Sequence, residues 1–277
     1  MTVVMLAGEW RCYLVVEPQA QPPGPGAERT LHMATFDLST PVGEIVARHP
    51  ATSRIFDRAG VDFCCGGKRP LGEACAAKGL AVDRLLAELE AELAAGGDDP
   101  DTSLADAPLP ALARYIVERF HVPLREELPR LGRMAEKVLL AHGSAHPEVV
   151  PELVRIFRAF RPELEGHMAK EEAVLFPAIE ALADPAAARR GGKPPIAELI
   201  AALEGEHDGA GAALTRLSEL TGGFTPPVGA CNTFRALYDG LAHLETEMHL
   251  HVHLEHSVLF PRAVAREREL GADCTAL

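Results

Sequence analysis

One motif occurs twice in the chain. His167 to Pro177 (HMAKEEAVLFP) and His251 to Pro261 (HVHLEHSVLFP) both read H-x3-E-x2-V-L-F-P, offset by 84 residues. A spacing of four puts His and Glu on one face of a helix, because each residue turns the wheel by about 100°. With His251 at zero, Glu255 falls near 40°, and Leu244, Met248, Val258 and Leu259 fall between roughly −20° and 80°. The pair therefore sits inside an apolar stripe. His167 and Glu171 fall likewise among Leu153, Phe157, Phe160, Leu164, Val174 and Leu175. Burying a carboxylate without a partner is costly, and a bound cation would compensate. A single pair of this kind is more simply a core histidine bonded to a glutamate. Two copies at one spacing point instead to a shared metal site.

Each copy closes a helical hairpin, and each hairpin has one more histidine on its first helix. His121 precedes His167 by 46 residues and His207 precedes His251 by 44. Each hairpin thus contributes one His plus one H-x3-E pair, three donors if each Glu is monodentate. Four imidazoles and two carboxylates inside a helix bundle suit a carboxylate-bridged dinuclear iron or manganese centre, with room for an oxo, water or small ligand. Zinc is disfavoured, because H-E-x-x-H is absent and a structural zinc site would favour cysteine. His249, His253 and His256 fall on the opposite side of the wheel and read as a solvated face. His142, His146 and His243 carry no usable signal.

The organisation follows from the punctuation. Residues 1–34 read as a leader, disordered or a non-native start, with short strands at Val3–Leu6 and Cys12–Val16. Gln19–Glu28 is a Pro/Gly linker, and Met33 begins a segment resembling an ordinary protein start. Residues 35–96 form a small helical domain, with helices expected near 41–48, 51–59, 70–78 and 81–95 around the loop Asp62-Phe63-Cys64-Cys65-Gly66-Gly67. Residues 97–108 are a Gly/Asp/Pro-rich linker. Four long helices are expected near 109–141, 149–183, 194–221 and 229–269, with short connections that make an antiparallel up-down four-helix bundle over 109–270. Pro162 is expected to kink the second of them. Cys75 and Cys231 read as buried packing residues. The fold class is all-α.

Composition narrows the partners. The formal net charge of −13 lacks the basic footprint that a nucleic-acid binder needs. No run of 18 apolar residues offers a membrane span, and the N-terminus lacks the basic flank of a secretory signal. Six cysteines spread over 277 residues do not make a disulfide framework, which suits a reducing cytoplasm.

The four-helix reading with these ligands resembles the hemerythrin-like di-iron proteins. Asp62-Phe63-Cys64-Cys65-Gly66-Gly67-Lys68 in front of the duplicated bundle narrows the resemblance to the repair of iron centres family, iron–sulfur cluster repair proteins with an N-terminal di-Cys domain. It covers about residues 38–265. The resemblance implies that His121, His167, Glu171, His207, His251 and Glu255 hold two oxo- and carboxylate-bridged iron ions, with Glu171 and Glu255 bridging. It also implies that Glu163 and Glu206 line an iron or solvent path. Cys64 and Cys65 read either as part of a structural turn or as a redox or iron-handling pair near the di-iron site. No fifth inward histidine is evident, which favours a repair-type site over oxygen carriage. The expected function is cytoplasmic repair of clusters damaged by nitric oxide or peroxide, by iron donation to damaged iron–sulfur proteins, with a homodimer implied by family alone. The alternatives are a di-iron nitric oxide reductase or peroxide-reactive enzyme, and a reversible oxygen or nitric oxide sensor-carrier.

Overall fold

The computed structural model describes Thr2–Leu6, Glu9–Tyr13 and residues 37–94, 104–184 and 194–275. The chain divides into two units, residues 1–35 and 36–277. In the first, Thr2–Leu6 pairs antiparallel with Glu9–Tyr13, with Val4 opposite Arg11. The second strand thus begins at Glu9 rather than at Cys12. Gln19–Glu28, Met33 and most of the 97–108 linker lie outside the described residues.

The second unit is all-α among its described residues. Its small helices are Val42–Arg48, Ser53–Ala59, Leu71–Lys78 and Val82–Ala94. They close their own core around Phe56, Phe63, Leu71 and Leu89. Cys75 is buried in it, as its apolar setting requires. Gly60, at φ 65°, ends one helix in the left-handed conformation and turns the chain into the cysteine loop. The Asp62 carboxylate then folds that loop back on itself. Its two oxygens accept hydrogen bonds from the Cys64 and Gly66 amides, both at 3.0 Å.

The bundle has four long helices, and three of them are interrupted by a π-turn. The first runs Leu109–Ile116, π-turn Val117–His121, then Val122–His142. The second runs Val150–Lys170, π-turn Glu171–Leu175, then Phe176–Ala181. The third, Ile196–Leu220, is uninterrupted. The fourth runs Asn232–Leu254, π-turn Glu255–Leu259, then Phe260–Thr275. Each π-turn is followed, one residue further on, by a proline: Pro123, Pro177 and Pro261. Proline has no N–H to give and its ring collides with the carbonyl four residues back, so the ladder widens there. Proline is not sufficient, since Pro129 and Pro162 sit inside α-helical stretches. The expected interruption at Pro162 falls instead nine residues later, at Glu171. The widened turns coincide with the residues that face the bundle core.

The two parts of this unit share a wall. Ala47 of the first small helix and Cys64 pack into the bundle core, and Leu250 touches both cores. Two glycines of the small domain let it approach the Ser257 side chain closely. A Cβ on Gly43 would lie 2.6 Å from the Ser257 hydroxyl, and one on Gly67 would lie 3.1 Å from it. Ser257 belongs to the π-turn of the fourth helix, so the cysteine loop rests directly on the turn that begins with Glu255.

Candidate metal centre

The six residues singled out by spacing converge in the bundle. His121, Glu171, His251 and Glu255 are fully buried, and His167 and His207 are at most 3 % exposed. Their donor atoms form two groups, each with all atoms within 4.8 Å of one another. One group is His121 and His251 with both carboxylates; the other is His167 and His207 with both carboxylates. The hairpins therefore do not each hold a position. The first and fourth helices supply one pair of imidazoles, and the second and third supply the other.

The carboxylates divide their oxygens between the groups. Glu171 Oε2 lies 3.4 Å from His121 Nε2 while Oε1 lies 3.4 Å from His167 Nε2. Glu255 Oε1 lies 3.0 Å from His251 Nε2 while Oε2 lies 3.1 Å from His207 Nε2. Both Glu171 oxygens and Glu255 Oε2 are buried without a hydrogen-bond partner among the described residues. Each unsatisfied group of this kind is expensive. The imidazoles face each other in the same way. His121 and His251 meet Nε2 to Nε2 at 3.1 Å, and His167 and His207 at 2.8 Å.

The outer ring nitrogens set the tautomers. His121 Nδ1 lies 2.7 Å from Glu172 Oε1, and Arg125 also grips that carboxylate. His167 Nδ1 lies 3.0 Å from Glu206 Oε2, and Lys170 donates to the other oxygen of that carboxylate. A carboxylate partner accepts a hydrogen bond from Nδ1–H and so leaves the Nε2 lone pair pointing inward, the arrangement of a metal-binding histidine. His207 Nδ1 lies 2.8 Å from His256 Nε2, so its partner is another imidazole. The rings are clamped flat by aromatics, His251 on Phe120 at 5.1 Å and His121 on Phe176 at 5.8 Å between centroids. Inward lone pairs, unpaired carboxylate oxygens and carboxylate-backed imidazoles fit divalent or trivalent cations.

The carboxylates also act on the imidazoles they face. Burial pulls His167 and His251 down, yet the Glu171 and Glu255 carboxylates override it, raising His167 to about 9 and His251 above its ordinary value. Burial pushes Glu255 up, but His251 and His207 hold it well below the usual carboxylate range.

The remaining sequence expectations divide. Glu206 is at the site's edge, as the backing group of His167. Glu163 is exposed on the second helix, and no hydrogen bond or ion pair joins it to the cluster among the described residues. Of the face of His249, His253 and His256, His253 is buried and the other two are half-buried. His253 is 1 % exposed, its Nδ1–H donating to the Phe63 carbonyl at 3.1 Å, and burial drives it down to about 4. His249 Nδ1 pairs with Asp57 at 3.1 Å. This face is covered by the small domain, which a helical wheel of one helix cannot reveal. Cys231 is exposed, not buried, and its sulfur lies 3.2 Å from His142 Nε2. Glu172 was missed. Its signal was slight: an acidic residue next to Glu171, whose partner His121 lies on another helix.

Cys64 and Cys65 lie beside this centre as free thiols, sulfurs 3.9 Å apart. The hydrogen bond between them raises the Cys64 thiol, which burial and Asp62 raise further, and lowers Cys65, the exposed member. Cys65 is therefore the more readily ionised thiol of the pair.

The fold and the buried donor set define a hemerythrin-type cation-binding bundle. Residues 112–263 match the hemerythrin HHE cation binding domain, and residues 38–93 match the ScdA_N domain, a domain of unknown function (DUF542). The chain is 40% identical over 235 residues to the iron-sulfur cluster repair protein YtfE of Pectobacterium carotovorum subsp. carotovorum, covering 85% of this chain and 100% of that protein. It is 39% identical over 228 residues to the protein of the same name from Yersinia pestis, covering 82% of this chain and 97% of that one. The chain belongs to this family of iron-sulfur cluster repair proteins.

Proposed function

We propose that this chain holds two iron ions in the bundle and donates iron to damaged iron–sulfur clusters. The observation that carries the reading is the division of each carboxylate between two imidazole pairs. Glu171 and Glu255 would bridge, His121 and His251 would complete one position, and His167 and His207 the other, with an oxo group between the metals. Bound iron supplies redox activity and a transferable cation.

The protein's own residues make the cargo retrievable. Imidazole and carboxylate hold ferrous iron less tenaciously than a thiolate set would. Glu172 and Glu206 keep the Nε2 lone pairs of His121 and His167 aimed at the site. Phe120 and Phe176 exclude water from one side. No helix among the described residues is long and apolar enough to cross a membrane. With the acidic balance and free thiols, this supports action in the cytoplasm on iron–sulfur proteins rather than nucleic acid. The homodimer expected from the family is part of the same proposal.

The test is reactivation of a nitric-oxide-inactivated [4Fe–4S] dehydratase by the iron-loaded protein. The expected result is recovery well above an equal amount of free ferrous iron. Recovery equal to free iron would count against donation.

A further inference from the structure

The two imidazole pairs are chemically alike but differently enclosed. A cavity of about 360 Å³ lies between the cysteine loop and the third and fourth bundle helices. Its wall includes Cys64, Cys65, Asp208, Gly211 and His249, and it reaches His207. A second cavity of about 200 Å³ on the other side of the loop is lined by the same two cysteines, Lys68, Glu204 and His256. His256 is the residue that backs His207. Neither His121 nor His251 lines either cavity.

The groups behind the imidazoles also differ. His121 is backed by a carboxylate that an arginine also grips, and its ring is stacked on Phe176. His251 has no partner at Nδ1 among the described residues, so backing alone does not rank the two pairs; access does. Two further cavities, of about 1040 and 240 Å³, meet Phe120 and Phe176 and do not reach His121 or His251. Within the pair that a cavity does reach, His167 is backed by a carboxylate and His207 by an imidazole. A carboxylate partner makes a ligating histidine more basic, whereas a neutral imidazole does so less, so His207 is the more weakly supported ligand of that pair.

We propose that the His167–His207 position is the exchangeable one of the two, that it opens through the cavity ending on His207, and that His256 is the positioning residue that sets how readily it exchanges. This rests on the two-iron reading above. It assigns an order to the two positions, which a symmetric donor set does not: the His121–His251 position is retained while the other is filled and emptied past Cys64 and Cys65.

The experiment is iron release from the full chain, loaded anaerobically with ferrous iron and mixed with excess ferrozine. The expected result is two phases, each of one iron per chain. Gly211→Leu places a side chain in the cavity, where a Cβ meets nothing within 4 Å, and replaces a helical glycine by a better helix former. It should slow the fast phase about tenfold and leave the slow phase unchanged. His256→Glu gives His207 a carboxylate partner and should also slow the fast phase by about tenfold, within the range of outer-shell effects on metal affinity. A wild-type protein that binds two irons and releases them in one phase would overturn the inference while leaving the two-iron reading intact. So would variants that leave the fast phase unchanged or slow both phases alike. A chain that binds fewer than two irons would overturn both.

Discussion

The two halves of the bundle carry the same motif but differ in what stands behind it. In the first half, His121 and His167 are each backed by a carboxylate, Glu172 and Glu206. In the second half, His207 is backed by His256, and His251 Nδ1 is buried with no partner among the described residues. The duplication thus specifies the inward donors and leaves the outer contacts free to diverge. They diverge where the small domain covers the fourth helix. The comparison also shows why the halves do not act as separate sites: each position takes its imidazoles from both.

The sharpest way to break that picture is to remove one carboxylate. Because Glu171 and Glu255 each serve both positions, either Glu171→Ala or Glu255→Ala alone should reduce iron from two per chain to well below one, measured by elemental analysis with optical spectra. Loss of a single iron would mean that the carboxylates are divided between the halves after all. Removing a backing group is the next largest effect. Glu172→Gln should weaken iron binding by about 10- to 100-fold in competition with a chelator, the range for outer-shell partners. The same magnitude is expected for Glu206→Gln. Equal affinity for both variants and the wild type would show that the carboxylates behind the first half do nothing the second half lacks.

Contact with the small domain gives a smaller effect. Gly67→Ala must move the Phe63 carbonyl or the Ser257 hydroxyl, which should cost about 1–3 kcal/mol. That corresponds to a fall in Tm of about 2–4 °C per kcal/mol for a unit of this size. An unchanged melting curve would mean that the loop is free to relax around position 67. The smallest effect concerns the thiols. A lowered Cys65 carries its thiolate to lower pH, and a raised Cys64 stays protonated, so iodoacetamide should label Cys65 first at every pH between 6 and 9, two-fold or more ahead of Cys64. Equal labelling of the two would remove the asymmetry within the loop.

The bundle and all six inward donors were legible in the sequence. Buried polar pairs repeated at helical spacing have few explanations. The pairing of donors between helices was not legible, because spacing along a chain is silent about which adjacent helices share a position. The burial of His253 was not legible for a related reason. A helical wheel separates the core face from the other face, and it reads the other face as solvent. Here a second domain lies on it, held by the Phe63 carbonyl and by Asp57, 190 or more residues away in sequence. Cys231 was misread because an apolar-looking residue at the start of a helix can equally stand at its open end.

A π-turn is an α-helix carrying one surplus residue, so the three turns have a consequence for insertion and deletion. Removing a single residue from Glu255–Leu259 would let the ladder close into a regular α-helix while the segment beyond keeps its phase, because the wide turn is what absorbs the extra residue. Phe260 and Ala263, now buried, would stay on the core, while Glu255 would lose the widened turn that aims it. The surplus residue therefore bears on the site rather than on the packing beyond it. The third helix, which has no such surplus, is the one place in the bundle where the phase of the helix runs unbroken past its ligand.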